Sequence, residues 1–81
     1  MAKSDNQKLK ILYILDYLQK NSHQDHPVRA IDLVQMLEKR GIRCDRKTIY
    51  SDIETLQEFG IDILTYRGKN GGFYIGQRDF Q

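Results

Sequence analysis

DRKTIYSDIETLQEFG, residues 45–60, is the stretch around which the rest of the chain arranges itself. Asp45 is a helix-starting residue, because its carboxylate can accept an orphan backbone N–H near Thr48. Gly60 closes the stretch as a residue type that ends helices in a left-handed conformation without Cβ strain. Between them Ile49, Ile53 and Leu56 recur at helical spacing and make one apolar stripe. At about 100° per residue, Lys47, Ser51, Glu54 and Glu58 fall opposite that stripe, with Tyr50 on its flank. The first turn therefore crowds Arg46, Lys47, Thr48, Tyr50 and Ser51 at the exposed end, beside the partly positive helix N-terminus. A DNA recognition helix needs this combination: an apolar back for anchoring, and short cationic or hydroxyl donors in front for base edges and phosphates. The same stretch also fits an ordinary amphipathic helix with a solvated face. What flanks it decides.

The whole chain has 81 residues, 40% hydrophobic and 30% charged, which suits one small globular domain rather than a disordered tail. Its longest apolar run, residues 11–15, is far too short to cross a membrane, and the polar N-terminus has no signal-peptide pattern. One cysteine, Cys44, leaves no internal disulfide and suits a reducing cytoplasm, the expected location. A net charge of +2 says little about partners. Its distribution says more: Lys39, Arg40, Arg43, Arg46 and Lys47 cluster before and within the helix start, with Asp45 as the only acid among them.

Taken in order, a first helix is predicted over 6–20. Ile11, Leu12, Ile14, Leu15 and Leu18 form its core face, while Leu9, Tyr13 and Tyr17 project from the other side. That second stripe is expected to be an interaction surface, for a second copy of the domain or for further chain. A polar loop over 21–27 ends at Pro27, and Val28 with Arg29 reads as a very short strand. The second helix, 30–40, carries Ala30, Leu33, Val34 and Leu37 inward and stops at Gly41, after which Ile42 folds back onto it. The third helix is the opening stretch, 45–59. A hairpin over 61–76 follows: IDILTY as one strand, a type I′ turn at Asn70-Gly71, and Phe73 to Ile75 as the return. Two short helices joined by a tight turn, one helix before them and a hairpin after them, define an α+β winged helix-turn-helix. Ile11, Leu15, Leu18, Leu33, Leu37, Ile49, Ile53 and Leu56 are the expected core, with Ile63 and Tyr74 closing one side.

DRKTIYSDIETLQEFGIDI (45–63) and GGFYI (71–75), in this order and separation, resemble the N-terminal DNA-binding domain of bacterial WYL-domain transcriptional regulators. LKILYILDYL (9–18) is similar, more weakly, to the first helix of that family. Members often carry Ser or Thr where Arg29 stands, as a cap of the second helix. The resemblance implies sequence-specific DNA binding, and it implies that RDFQ (78–81) begins a linker, 77–81, to a ligand-sensing domain absent here. A small-molecule effector would act only through that domain.

The expected assignment is then as follows. Lys47, Tyr50 and Ser51 reach base edges; Arg43, Arg46 and Thr48 hold phosphates; Arg67 and Lys69 at the wing tip add backbone or minor-groove contacts. Double-stranded DNA is the expected partner, with a homodimer through Leu9, Tyr13 and Tyr17. No cofactor is expected and no metal, since His23, His26 and Cys44 lack the spacing of a zinc site. No carboxylate pair or serine–histidine pattern suggests an enzyme. The alternative is a winged helix that grips a partner protein instead of DNA, kept open by Glu54 and Glu58 on the outward face.

Overall fold

The second and third helices end where their residue chemistry says they should. The computed structural model describes residues 3–68 and 71–76. It shows α1 (Lys3–Asn21), α2 (Ala30–Lys39) and α3 (Arg46–Phe59), then β1 (Ile63–Tyr66) and β2 (Gly72–Ile75). The arrangement is the expected winged helix: three helices followed by a two-stranded antiparallel hairpin.

Helix α2 stops at Gly41, which takes φ +84°, and the Ile42 N–H then reaches back to the Leu37 carbonyl at 2.9 Å. Ile42 is buried by that fold-back. Helix α3 stops the same way: Gly60 sits at φ +123°, and the Ile61 N–H donates to the Leu56 carbonyl at 3.0 Å. Its start is capped as expected, with the Thr48 N–H donating to the Asp45 carboxylate at 3.2 Å. At the start of α2 stands Arg29, whose side chain has no acceptor to offer a backbone N–H. Asp32 covers part of that end from within the first turn, accepting the Arg29 backbone N–H at 3.0 Å and the guanidinium at 3.1 Å.

The sheet is wider than the hairpin. In β1 and β2, Ile63 pairs with Ile75 and Tyr66 with Gly72. On the far side of β2, Val28 and Phe73 exchange both backbone hydrogen bonds at 2.8 Å, so the loop before α2 adds a one-residue third strand. This explains Gly72, where a Cβ would lie 2.7 Å from the Val28 carbonyl oxygen. The wing connection is longer than a two-residue hairpin turn, spanning residues 67–71. A two-residue turn at Asn70-Gly71 would pair residues 69 and 72, whereas Gly72 pairs with Tyr66 and the Gly71 N–H closes on the Gly68 carbonyl at 3.0 Å. Asn70 itself lies outside the described residues.

The core is a single cluster built from Ile14, Leu18, Val28, Leu33, Leu37, Ile42, Ile49, Ile53, Leu56, Ile63, Phe73 and Ile75, with Ala30 at its edge. Two expectations are corrected here. On β2, Phe73 and Ile75 face inward and Tyr74 is half-buried, because the ladder pairs Ile75 with the buried Ile63. On α1 the buried line is Lys10, Ile14, Leu18 and then Ser22 just past its end, so the helix is rotated from the expected face. Leu12 is 59% exposed, Ile11 and Leu15 are half-buried, and Tyr13 and Tyr17 pack against the core instead of projecting from it.

The rotation has two polar causes, one midway along α1 and one just past its end. Lys10, 2% exposed, forms an ion pair with Asp52 of α3 at 2.8 Å. The Ser22 hydroxyl donates to the Leu18 carbonyl at 2.6 Å and accepts the Ile75 N–H at 3.1 Å. Those two links fix which way α1 turns.

Candidate nucleic-acid interface

Three lines of side chains leave the N-terminal half of α3. Inward, Ile49 and Ile53 are buried. Outward, Lys47, Ser51, Glu54 and Glu58 are all exposed, as the helical spacing predicts. Arg46 and Tyr50 lie on the flank, and both line a cleft of about 370 Å³ between the starts of α2 and α3 and the wing. Arg43, in the turn before α3, is exposed. Thr48 is exposed too, but its hydroxyl donates to the Asp45 carbonyl at 2.9 Å, so toward a phosphate its free donors are spent on the cap.

The cleft draws on parts of the chain distant in sequence. Arg29 and Ile31 come from the start of α2, Arg46 and Tyr50 from α3, Thr65 and Tyr66 from β1 and Gly72 from β2. Tyr50 is held there by Phe73, ring edge to ring face, with centroids 5.7 Å apart and planes at 67°. Half of the Tyr50 surface stays open. Of the expected base readers, then, Lys47 and Ser51 share the outward line and Tyr50 sits apart on the cleft side.

Arg29 is the residue that sequence reasoning missed. It looks like a failed helix cap, and nothing local marks it as part of the basic surface. Only the packing of α2 against α3 brings it to the same cleft as Arg46. Hydrogen bonding to Asp32 raises the guanidinium above its ordinary pKa. For Asp32 itself, burial pushes the carboxyl up, yet the bonds from Arg29 outweigh it and hold the pKa below the ordinary value. Arg29 is therefore a cation at any working pH, with part of its charge met by Asp32.

At the wing, Arg67 is exposed, whereas Lys69 lies outside the described residues. His23 and His26 close their own loop through paired backbone hydrogen bonds at 3.2 and 2.8 Å. Cys44 is on the other side of α3's start, near Lys10 and Thr48. Burial pushes its thiol pKa up, and the pull of Lys10 and Thr48 the other way does not cancel that, so it is a poor nucleophile. No described helix is long and apolar enough to cross a membrane.

A family model described as FokI, D3 domain, matches residues 9–68. The chain belongs to the FokI D3-domain family. The match runs from α1 through β1 and so takes in the helix-turn-helix, Arg29, Arg46 and the first strand of the wing. The FokI D3 domain is of the DNA-binding winged-helix type, which agrees with the three helices and hairpin found here. No curated protein and no solved structure matches the chain.

Proposed function

We propose that this FokI D3-type domain binds double-stranded DNA sequence-specifically, as the DNA-binding domain of a cytoplasmic bacterial transcriptional regulator, and catalyses nothing itself. The observation that carries this reading is the exposed start of α3, where Lys47 and Ser51 stand outward with Arg43 and Arg46 beside them. An α-helix fits the major groove, and this one offers donors at its front and an apolar anchor behind. Arg46 and Arg29 flank the helix on the wing side, where a phosphate backbone would pass. The resemblance of residues 45–63 and 71–75 to WYL-domain regulators supports the regulatory role, with an effector acting through a further domain. The protein-binding alternative draws on the exposed Glu54 and Glu58 of the outward face and on Phe59 at the end of α3, 82% exposed.

Selection of sites from a random DNA pool, followed by Lys47→Ala, tests the reading. Enriched sites are expected to hold a guanine whose loss weakens wild-type binding. Lys47→Ala should weaken the enriched site more than random DNA, by roughly 5- to 150-fold if one base contact of about 1–3 kcal/mol is lost. Equal loss on both would move Lys47 to the backbone. A pool with no enriched sequence at low salt would favour the protein-binding domain.

A further inference from the structure

Lys47, Ser51 and Glu54 share the outward face of α3, and all three are exposed. Seven residues of helix advance about 10.5 Å and return to within about 20° of the starting direction. Glu54 thus stands almost directly behind Lys47 along the axis, at a distance of about three base-pair steps of 3.4 Å. Ser51 lies between them.

Glu54 is the odd member of that face. A bare carboxylate is repelled by the phosphates on either side of a groove. On this helix it has no cation to neutralise it: the ion pairs among the described residues involve Lys10, Lys20, His23 and Arg29. The residues one turn away along the helix are Tyr50, Ser51, Gln57 and Glu58, none of them basic. A carboxylate on a DNA-facing line is favourable only where the DNA offers it a donor. In the major groove the donors are the cytosine N4 and adenine N6 amino groups. Adenine sets an N7 acceptor on the far side of its amino group, which repels a second carboxylate oxygen; in cytosine that place is taken by C5–H.

We infer that Glu54 is a specificity-determining residue that accepts a hydrogen bond from cytosine N4, three base pairs from the guanine read by Lys47. This rests on the reading of α3 as a recognition helix, and it requires the helix to lie along the groove, not to enter it end-on. The preferred site would then carry two G·C pairs of defined spacing, separated by two pairs under Ser51.

Site selection from a random DNA pool with the wild-type chain and with Glu54→Gln tests this. The wild-type sites should hold a C·G pair three positions from the Lys47 guanine. Glu54→Gln should turn that position to adenine, since glutamine pairs with adenine N6 and N7, and leave the Lys47 guanine unchanged. On the wild-type site the variant should bind at least about fivefold more weakly. Three results overturn the inference: an enriched site without a C·G pair there, the same base selected by both proteins, or a variant that binds every DNA more tightly. The last would mean that the carboxylate only repels. A wild-type chain that enriches no sequence overturns the DNA-binding reading itself, a distinct outcome. Glu54 is exposed, so the substitution should leave stability close to that of the wild type.

Discussion

Lys10 shows how one residue can turn a helix. In sequence it reads as a solvated lysine, because lysine is almost never fully buried unless paired. Its partner Asp52 is on another helix, and nothing local announces it. Once paired at 2.8 Å, the lysine occupies a place on the buried line of α1 that an apolar residue was expected to take. Removing one member of such a pair leaves the other charge short of solvent and partner, whereas replacing both by apolar groups is often neutral. Lys10→Met should therefore cost about 3 kcal/mol in urea unfolding, and Lys10→Met with Asp52→Leu should recover most of it. If the double variant is as unstable as the single one, the pair does more than satisfy its own charges. Asp45, Gly41 and Gly60, by contrast, were legible residue by residue. Caps and stops are set by local backbone chemistry, which a sequence carries in full.

At the scale of the element, α3 and α1 differ in how readable they are. The apolar stripe of α3 has three members and one solution, so Ile49, Ile53 and Leu56 are buried where their spacing puts them. Helix α1 has apolar residues nearly all round, and a wheel alone leaves its rotation open. The polar anchors Lys10 and Ser22 settle it, and they turn Leu12 out and Tyr13 and Tyr17 partly in. The ring of Tyr13 also lies under the guanidinium of Arg40, 4.5 Å from its centroid, so α1 and the end of α2 share that contact. Tyr13→Glu should accordingly destabilise the fold by roughly 1–3 kcal/mol, while Leu12→Glu should stay within about 0.5 kcal/mol. Thermal unfolding of the two variants separates these outcomes. The opposite ranking would restore the expected wheel. The apolar surface α1 does leave open is Leu9 with Leu12, at 42% and 59% exposure. That pair is a smaller patch than the expected stripe and far from the roughly 1,600 Å² of a stable interface.

For the whole molecule, helix order, hairpin and the outward face of α3 follow from periodicity, while the cleft does not. It depends on α2, α3 and the Val28–Phe73 pairing meeting at one point, and long-range packing of that kind leaves no local trace. Its consequence is electrostatic. A chain of net charge +2 is a weak polycation, so DNA affinity has to come from placement, with Arg29 and Arg46 at one cleft beside the exposed Lys47. Each phosphate contact releases counterions and steepens the fall of log affinity with log salt by about 0.9. Arg46 has no acid partner among the described residues and should contribute that full amount, whereas Arg29 shares its charge with Asp32 at 3.1 Å. The Arg29→Ala, Arg46→Ala double variant should then flatten the slope by more than about 0.9 but less than about 1.8, on preferred and random DNA alike. Adding Asp32→Asn to an otherwise wild-type chain should steepen it, because Arg29 is then free to face a phosphate alone. A double variant whose slope equals that of the wild type would mean that the cleft faces away from the backbone, and that the DNA meets only the outward line of α3.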